Sequence, residues 1–510
     1  MSPTPSLDRD LIHSPGFANR LDVSVSPDAL LELPEKAVQF GTGALLRGFV
    51  EYFVEHANRR GSFGGRVVLV GSTDSGRGNL LNQQDGLYTL SLQGLQNGVP
   101  RIDHQVISCV SRALSATDEW DAVLECARNP LLELVFSNTT EVGINLDGGD
   151  QPDPGPPRSF PGKLTRFLYE RAATFGFSPD AGLVVVPCEL IEGNGERLHE
   201  IVVALARQWD LGDAFTVWLA SAVIFCNTLV DRIVTGSPVA AQADALAATL
   251  GYRDEMLTVC EPYALFAIEG DEALAQRLPF GDQRDVIVTG DITPFRERKV
   301  RLLNGTHTIA VPIALLCGCD TVRAALEHDV VGSFIRTVLF DELVPGVDVP
   351  GADAFARAVL ERFGNPYIHH SLLDITLQGT MKMRVRVIPS ITSFAQRFGS
   401  VPQSLAFGFA AYLEFMRLRS PQYGSAAWTH APADDSANRV LELLGAQNGL
   451  SRSDEAHAVA SIVSDTTLWG SDLSRIHGFA EAVTGHLNRI RTVGAINALE
   501  SHLAGAELCR

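Results

Sequence analysis

The chain has 510 residues, 45% of them hydrophobic and 20% charged, an ordinary globular balance at a length that usually needs two domains. Its 60 acidic and 41 basic residues leave a formal charge of −19, which argues against a nucleic-acid partner but not against a small anion drawn to local Lys and Arg. No apolar run reaches the roughly 18 residues of a membrane span, and MSPTPSLDRDLIHS lacks a secretory pattern, so a cytoplasmic protein with a short lead-in is expected.

In chain order, Lys36–Gly71 reads as strand, helix, strand: AVQF, then GTGALLRG, then an amphipathic Phe49–Arg60, then RVVLVG. Glycines at Gly41 and Gly43, with Thr42 between them, suit a tight turn where backbone approaches a pyrophosphate at a helix start. The usual third glycine position holds Leu46, with Gly48 two residues later, so the fingerprint is imperfect. After the second strand comes Asp74. Its carboxylate either bonds the ribose hydroxyls and favours NAD or caps the following turn, and Arg77 nearby would serve NADP instead.

Two further strands are expected at LELVFSN and GLVVVPCEL. Polar residues just past each end, Asn138 and Thr139 after the first and Glu189 and Asn194 after the second, sit where cofactor and substrate meet in such sheets. The same residues also suit turns and helix caps. Helices are expected at Lys163–Phe175, Arg197–Trp209 and Asp213–Asn227, and DGGDQPDPGPPRSFPG reads as a surface loop. The alternation predicts an α/β fold: a Rossmann-like, doubly wound domain over residues 1–290.

From about Asp291 helical periods dominate, at Arg298–Leu316, Ala352–Phe363, Pro366–Leu377, Ser404–Arg417, Ala437–Gly445, Asp454–Val463 and Asp472–Arg491. An α-helical domain over 291–510 is expected, with the active site between the two domains. Within it, ERKVRLLNGTH holds Lys299, Asn304 and His307. At 100° per residue these fall within one stripe, Asn304 about 140° and His307 about 80° from Lys299. An ammonium, an amide and an imidazole in a partly apolar cleft suit carbonyl reduction; the alternative is a solvated helix face. Lysine is rare here, at Lys36, Lys163, Lys299 and Lys382, and unlike Arg a desolvated Lys can release its proton. His369 and His370 would point to different helix faces and make no metal pair. Cys317 and Cys319, the closest of eight scattered cysteines, read as buried thiols, and no metal site is expected.

Together QFGTGALLRGF, QQDGLYTL, VFSNTTEVGI, VVPCELIEGNG, CNTLVDRIVTG, ERKVRLLNGTHT and RFGNPYIHHSLLDITL resemble the polyol-specific long-chain dehydrogenase/reductase family that contains mannitol dehydrogenase, in its branch acting on ketouronates. The resemblance implies NAD as cofactor, no metal, and reversible NADH-dependent reduction of D-tagaturonate to D-altronate. It implies Lys299 as general acid/base, Asn304 polarising the carbonyl and His307 binding substrate. It also implies Asp231 tuning the Lys and Lys382 facing a substrate carboxylate. Two departures stand out: Leu190 where mannitol-type members carry Asn, with Asn194 as a possible replacement, and Asp374 where they carry Arg. Fructuronate, mannitol or another polyol, and a non-catalytic NAD-binding sensor, remain alternatives. Oligomeric state is open, a monomer included.

Overall fold

The computed structural model describes residues 4–14, 17, 27–72, 76–139, 143–153, 155–420, 432–445 and 452–508. It divides into two compact units. The first is Met1–Gln93 with Arg101–Ile292; the second is Gly94–Pro100 with Thr293–Arg510.

The first unit is built on six parallel strands, β1 (Glu35–Phe40), β2 (Arg66–Gly71), β3 (Val110–Ser115), β4 (Leu134–Ser137), β5 (Val184–Pro187) and β6 (Ile224–Phe225). Their spatial order is β3-β2-β1-β4-β5-β6, the order of a doubly wound dinucleotide-binding sheet. Successive side chains leave a strand on opposite faces, and both faces are covered. Ala37, Leu69 and Phe136 pack with Phe49 and Phe53 on one side. Val38, Val70 and Val135 pack with Phe160 and Phe167 on the other. That explains why the strands read as continuous apolar runs rather than as alternation.

Two small sheets go beyond the sequence reading. One carries Tyr88–Gln96, Val99–Ile107, Val234–Gly236 and Thr258–Cys260, and the other Thr228–Asp231, Leu265–Glu269 and Val286–Thr289. Tyr88–Gln96 and Val99–Ile107 are neighbours across Asn97–Gly98, and the other strands pair partly antiparallel with partners far away in sequence, so no βαβ alternation announces them. The helix expected over Asp213–Asn227 stops at Ala222, and Ile224–Phe225 joins the main sheet as its edge.

The second unit is helical. Its centre is Gln403–Leu418, buried along most of its length and packed between Gly305–Leu316 and Phe479–Val493. The helix expected over Pro366–Leu377 shrinks to Leu372–Ile375. Asn365 Oδ1 accepts from Tyr367 N at 2.9 Å, turning the chain, and an antiparallel bridge pairs Thr321 with Ser371. His369 and His370 therefore lie outside any helix. Among the described residues three π-helical turns interrupt the α-helices: Lys299–Asn304, Val338–Leu343 and Met383–Val387. No helix among the described residues is long and apolar enough to cross a membrane.

Candidate active site

In the first unit the crevice where strand order reverses lies between the ends of β1 and β4. Gly41 leaves β1 with φ +126°, a conformation that L side chains avoid, and donates its N–H to Val70 O at 2.8 Å. A Cβ on Gly41 would also meet Asn138 O at 3.2 Å, so the turn rests directly on the residues following β4. Gly43 caps Ala44–Arg47, and a Cβ there would meet nothing within 4 Å. That open backbone fits a pyrophosphate. Gly48 supplies the close packing expected of a third glycine, since a Cβ would come within 2.8 Å of Val234 Cγ1. The fingerprint is displaced rather than incomplete.

Asn138 donates through Nδ2 to Cys188 O at 2.6 Å. Glu189, 2% exposed, accepts from Thr139 N at 3.0 Å and from Ser137 Oγ at 3.1 Å. Burial raises the Glu189 carboxyl's pKa, and these hydrogen bonds pull it back. Asn194 is also fully engaged within the unit. It donates to Pro187 O, Glu189 O and Thr228 Oγ1 and accepts from Gly195 N and Thr228 N. Asp231 ends the strand Thr228–Asp231 and is buried. Leu190 is exposed, Arg77 begins the helix Arg77–Gln83, and Asp74 lies outside the described residues.

In the second unit Lys299 and Asn304 bound a π turn, closed by Gly305 N donating to Val300 O. Bonds from i to i+5 widen the turn to about 4.4 residues, so Lys299 and Asn304 lie only about 50° apart, on the same side. The 140° separation expected of an α-helix does not hold there. A Cβ on Gly305 would lie 3.1 Å from Arg386 O, so this glycine lets the π turns Lys299–Asn304 and Met383–Val387 pack together. The neighbouring arginines have structural tasks. Arg298 stacks on Phe295 and Phe355, while Arg301 donates to Ser390 Oγ at 3.0 Å and Pro389 O at 3.0 Å.

His307 lies one α-turn further on. Its ring meets Phe363 face to face and His370 edge-on, at a centroid distance of 5.1 Å for the second. His307 Nε2 is buried without a hydrogen-bond partner. Burial, then His370, Arg362, Arg386 and Lys382, hold the imidazole well below its usual pKa, so it is neutral at physiological pH. Each of those four neighbours is basic. Lys382 donates to Ile375 O at 3.0 Å and borders a cavity of about 20 Å³, room for a single water, beside Thr308, Tyr412 and Asp434. The structure thus gathers Lys299, Asn304 and His307 in one helix and Lys382 close to the imidazole. Among the described residues no group of three metal-binding side chains forms, and Cys317 and Cys319 carry free thiols.

Two family models match in succession, the mannitol dehydrogenase Rossmann domain over residues 35–281 and the mannitol dehydrogenase C-terminal domain over 291–491. The chain belongs to the mannitol dehydrogenase family. It is an oxidoreductase acting on CH–OH groups. Among curated members of the family, the altronate oxidoreductase of Bacillus subtilis (strain 168) is 39% identical over 94% of this chain and 98% of its own length. That of Yersinia enterocolitica is 39% identical over 92% and 97%. Among solved structures, Pseudomonas fluorescens mannitol 2-dehydrogenase in a ternary complex with NAD and D-mannitol superposes with a TM-score of 0.69, at 21% identity over 98% of this chain and 99% of that one. A substrate-free D-sorbitol dehydrogenase gives 0.73, at 22% identity over 93% and 96%. Both share the family fold.

Sequence reasoning missed several residues that shape these sites. Gly305 reads as a helix-weakening residue until the Arg386 carbonyl is seen against it. Phe363 looks like ordinary core, and His370 was set aside with its neighbour. Gln39, Arg47 and Glu51 are buried polar groups under the glycine turn. Glu51 shares a helix line with Glu55 and Asn58, which reads as a solvated polar stripe until the fold buries all three.

Proposed function

We propose that this protein reduces D-tagaturonate to D-altronate with NADH, reversibly, in the cytoplasm. Residues 1–290 hold the cofactor, and residues 291–510 supply the chemistry. NADH provides the hydride that converts the carbonyl carbon to an alcohol carbon. Lys299 gives the proton that the carbonyl oxygen takes up, and is reprotonated from solvent; in oxidation it accepts that proton. Asn304, on the same side of the π turn, donates a hydrogen bond to the oxygen as negative charge develops. His307 accepts from a substrate hydroxyl through its unpartnered Nε2. Asp231 tunes the Lys.

Gly41, Thr42, Gly43, Asn138 and Thr139 line the dinucleotide site, and Asp74 selects NAD over NADP. Glu189 and Asn194 shape the substrate wall, with their polar atoms committed to neighbouring backbone and hydroxyl groups. Lys382 meets the carboxylate. The observation that carries the substrate class is the basic surround of His307, which suits a sugar acid better than a neutral polyol. The full-length likeness to proteins named altronate oxidoreductase supports the same choice.

The test is a spectrophotometric panel with D-tagaturonate, D-fructuronate, D-fructose and D-mannitol, each with both nicotinamide cofactors. Tagaturonate with NADH should give the highest kcat/KM. Equal efficiency with fructose would overturn the substrate. NADH binding without turnover of any of these would leave a sensor.

A further inference from the structure

Beneath the Gly41–Thr42–Gly43 turn lies a buried polar cluster with no part in the proposed chemistry. Gln39 points inward from β1 and is fully buried. Its Nε2 donates to Gly41 O at 3.0 Å and to Glu51 Oε1 at 2.8 Å. Arg47, 2% exposed, donates through Nη1 to Thr42 O and through Nε to Thr258 Oγ1 at 3.2 Å. Two successive carbonyls of the turn are thus tied inward, one to an amide that itself rests on a carboxyl group and one to a guanidinium.

Glu51 Oε2 and Gln39 Oε1 are buried without hydrogen-bond partners. Burial raises the Glu51 carboxyl to about 7, with Gln39 and Arg47 pulling the other way. The other ionisable groups facing it are Arg47, Tyr88, Cys109 and Cys188. Arg47 remains a cation despite its burial. Burial pushes the Tyr88 phenol and both thiols up, so they stay protonated at neutral pH. Of this set, Glu51 is the member that changes charge near neutrality.

We propose that Glu51 couples dinucleotide binding to proton uptake, acting as a positioning residue that is ionised in part of the free protein and protonated when an anionic cofactor occupies the turn above it. This rests on the cofactor reading given above. A pyrophosphate on the turn places negative charge one side-chain amide away from the carboxylate, in surroundings that screen poorly. Protonating Glu51 removes that repulsion and leaves the Gln39 bridge in place, because a carboxylic acid still accepts a hydrogen bond. The coupling is reciprocal: if bound cofactor favours the proton, loss of the proton must weaken cofactor binding. Affinity is therefore highest below neutrality, falls as pH rises through about 7, and then levels off. A coupling of half to one pKa unit gives a fall of roughly three- to tenfold.

The experiment titrates full-length wild type and E51Q with NADH at about pH 6 and about pH 8.5, either side of the expected inflection. Proton uptake is measured by calorimetry at neutral pH in two buffers of different ionisation heat. Wild type should take up a fraction of a proton and lose roughly three- to tenfold in affinity, whereas E51Q should show less uptake and a flatter profile. Unchanged uptake and pH dependence in folded E51Q overturn the proposal. If E51Q does not fold, infrared difference spectra of wild type decide it: a carboxylic-acid C=O band should grow when NADH binds, and its absence is a refutation. A wild type that binds neither NADH nor NADPH overturns the cofactor reading itself, and the coupling with it.

Discussion

His307 lies flat on Phe363, with ring centroids 4.0 Å apart and planes 5° from parallel. The stack fixes the imidazole plane, and with it the direction of the unpartnered Nε2. Aromatic stacking contributes about 0.5–1.5 kcal/mol beyond burial, so F363L should raise substrate KM roughly two- to tenfold. NADH affinity should not change. A KM at the wild-type value would show that the ring needs no support from Phe363.

Lys299 is the residue whose loss should cost most in rate. K299M should lower kcat by about 10²–10⁴ while NADH still binds, the usual contribution of a positioned acid/base group. K299R should not rescue activity, because it restores the charge without a transferable proton. Near-normal kcat in K299R would shift the proton-transfer role to another group, His307 first.

Gly305 tests whether the packing of the two π turns matters for catalysis. A methyl group there would press on Arg386 O, and that carbonyl belongs to the π turn Met383–Val387. G305A should destabilise the protein by about 1–3 kcal/mol, as overpacking does. It should also lower kcat by about tenfold, because an ångström of misplacement is costly at a reacting centre. Thermal unfolding and steady-state kinetics separate the two effects. A variant that loses stability but keeps kcat would mean that Lys299 and Asn304 tolerate the shift.

Acid should stress the C-terminal helices through His486 and His502. Burial holds both imidazoles at about 4, below the usual 6.5. The unfolded chain therefore binds protons that the folded one refuses, and each histidine costs stability as pH falls from about 6.5 towards 4. Glu342, raised to about 7 by burial, works in the opposite sense over much of that range. The clean observable is a difference between proteins. Relative to wild type, H502Q should gain about 2 kcal/mol between pH 7 and pH 5 in urea unfolding. A difference that does not move with pH would mean that His502 charges in place.

The main sheet was legible because strands buried on both faces give apolar runs, and because the glycine turn follows the first of them directly. The two small sheets were not: five of their strands have three to five residues and distant partners, leaving no local period, and the nine-residue pair Tyr88–Gln96 and Val99–Ile107 was signalled only by the Asn97–Gly98 turn. Lys299, Asn304 and His307 could be named from their types and spacing, but their arrangement could not. A constant 100° step assumes an unbroken α-helix, and the π turn is a property of packing against Met383–Val387. Glu189 and Asn194 show the opposite limit. Their position after a strand is correct, yet their hydrogen bonds run to neighbouring backbone and hydroxyl groups, and only a folded chain reveals that.

The π turn also constrains how this site can change. A π turn carries one residue more than the α-helix around it needs, so removing one residue between Lys299 and Asn304 would let the helix close in ordinary α register. Four α steps turn about 400°, so Asn304 would still lie about 40° from Lys299, and His307 would keep its facing towards Phe363. Substitutions can trim this centre group by group. A one-residue deletion would remove the π turn and its packing against Met383–Val387 while leaving Lys299, Asn304 and His307 on one side of the helix.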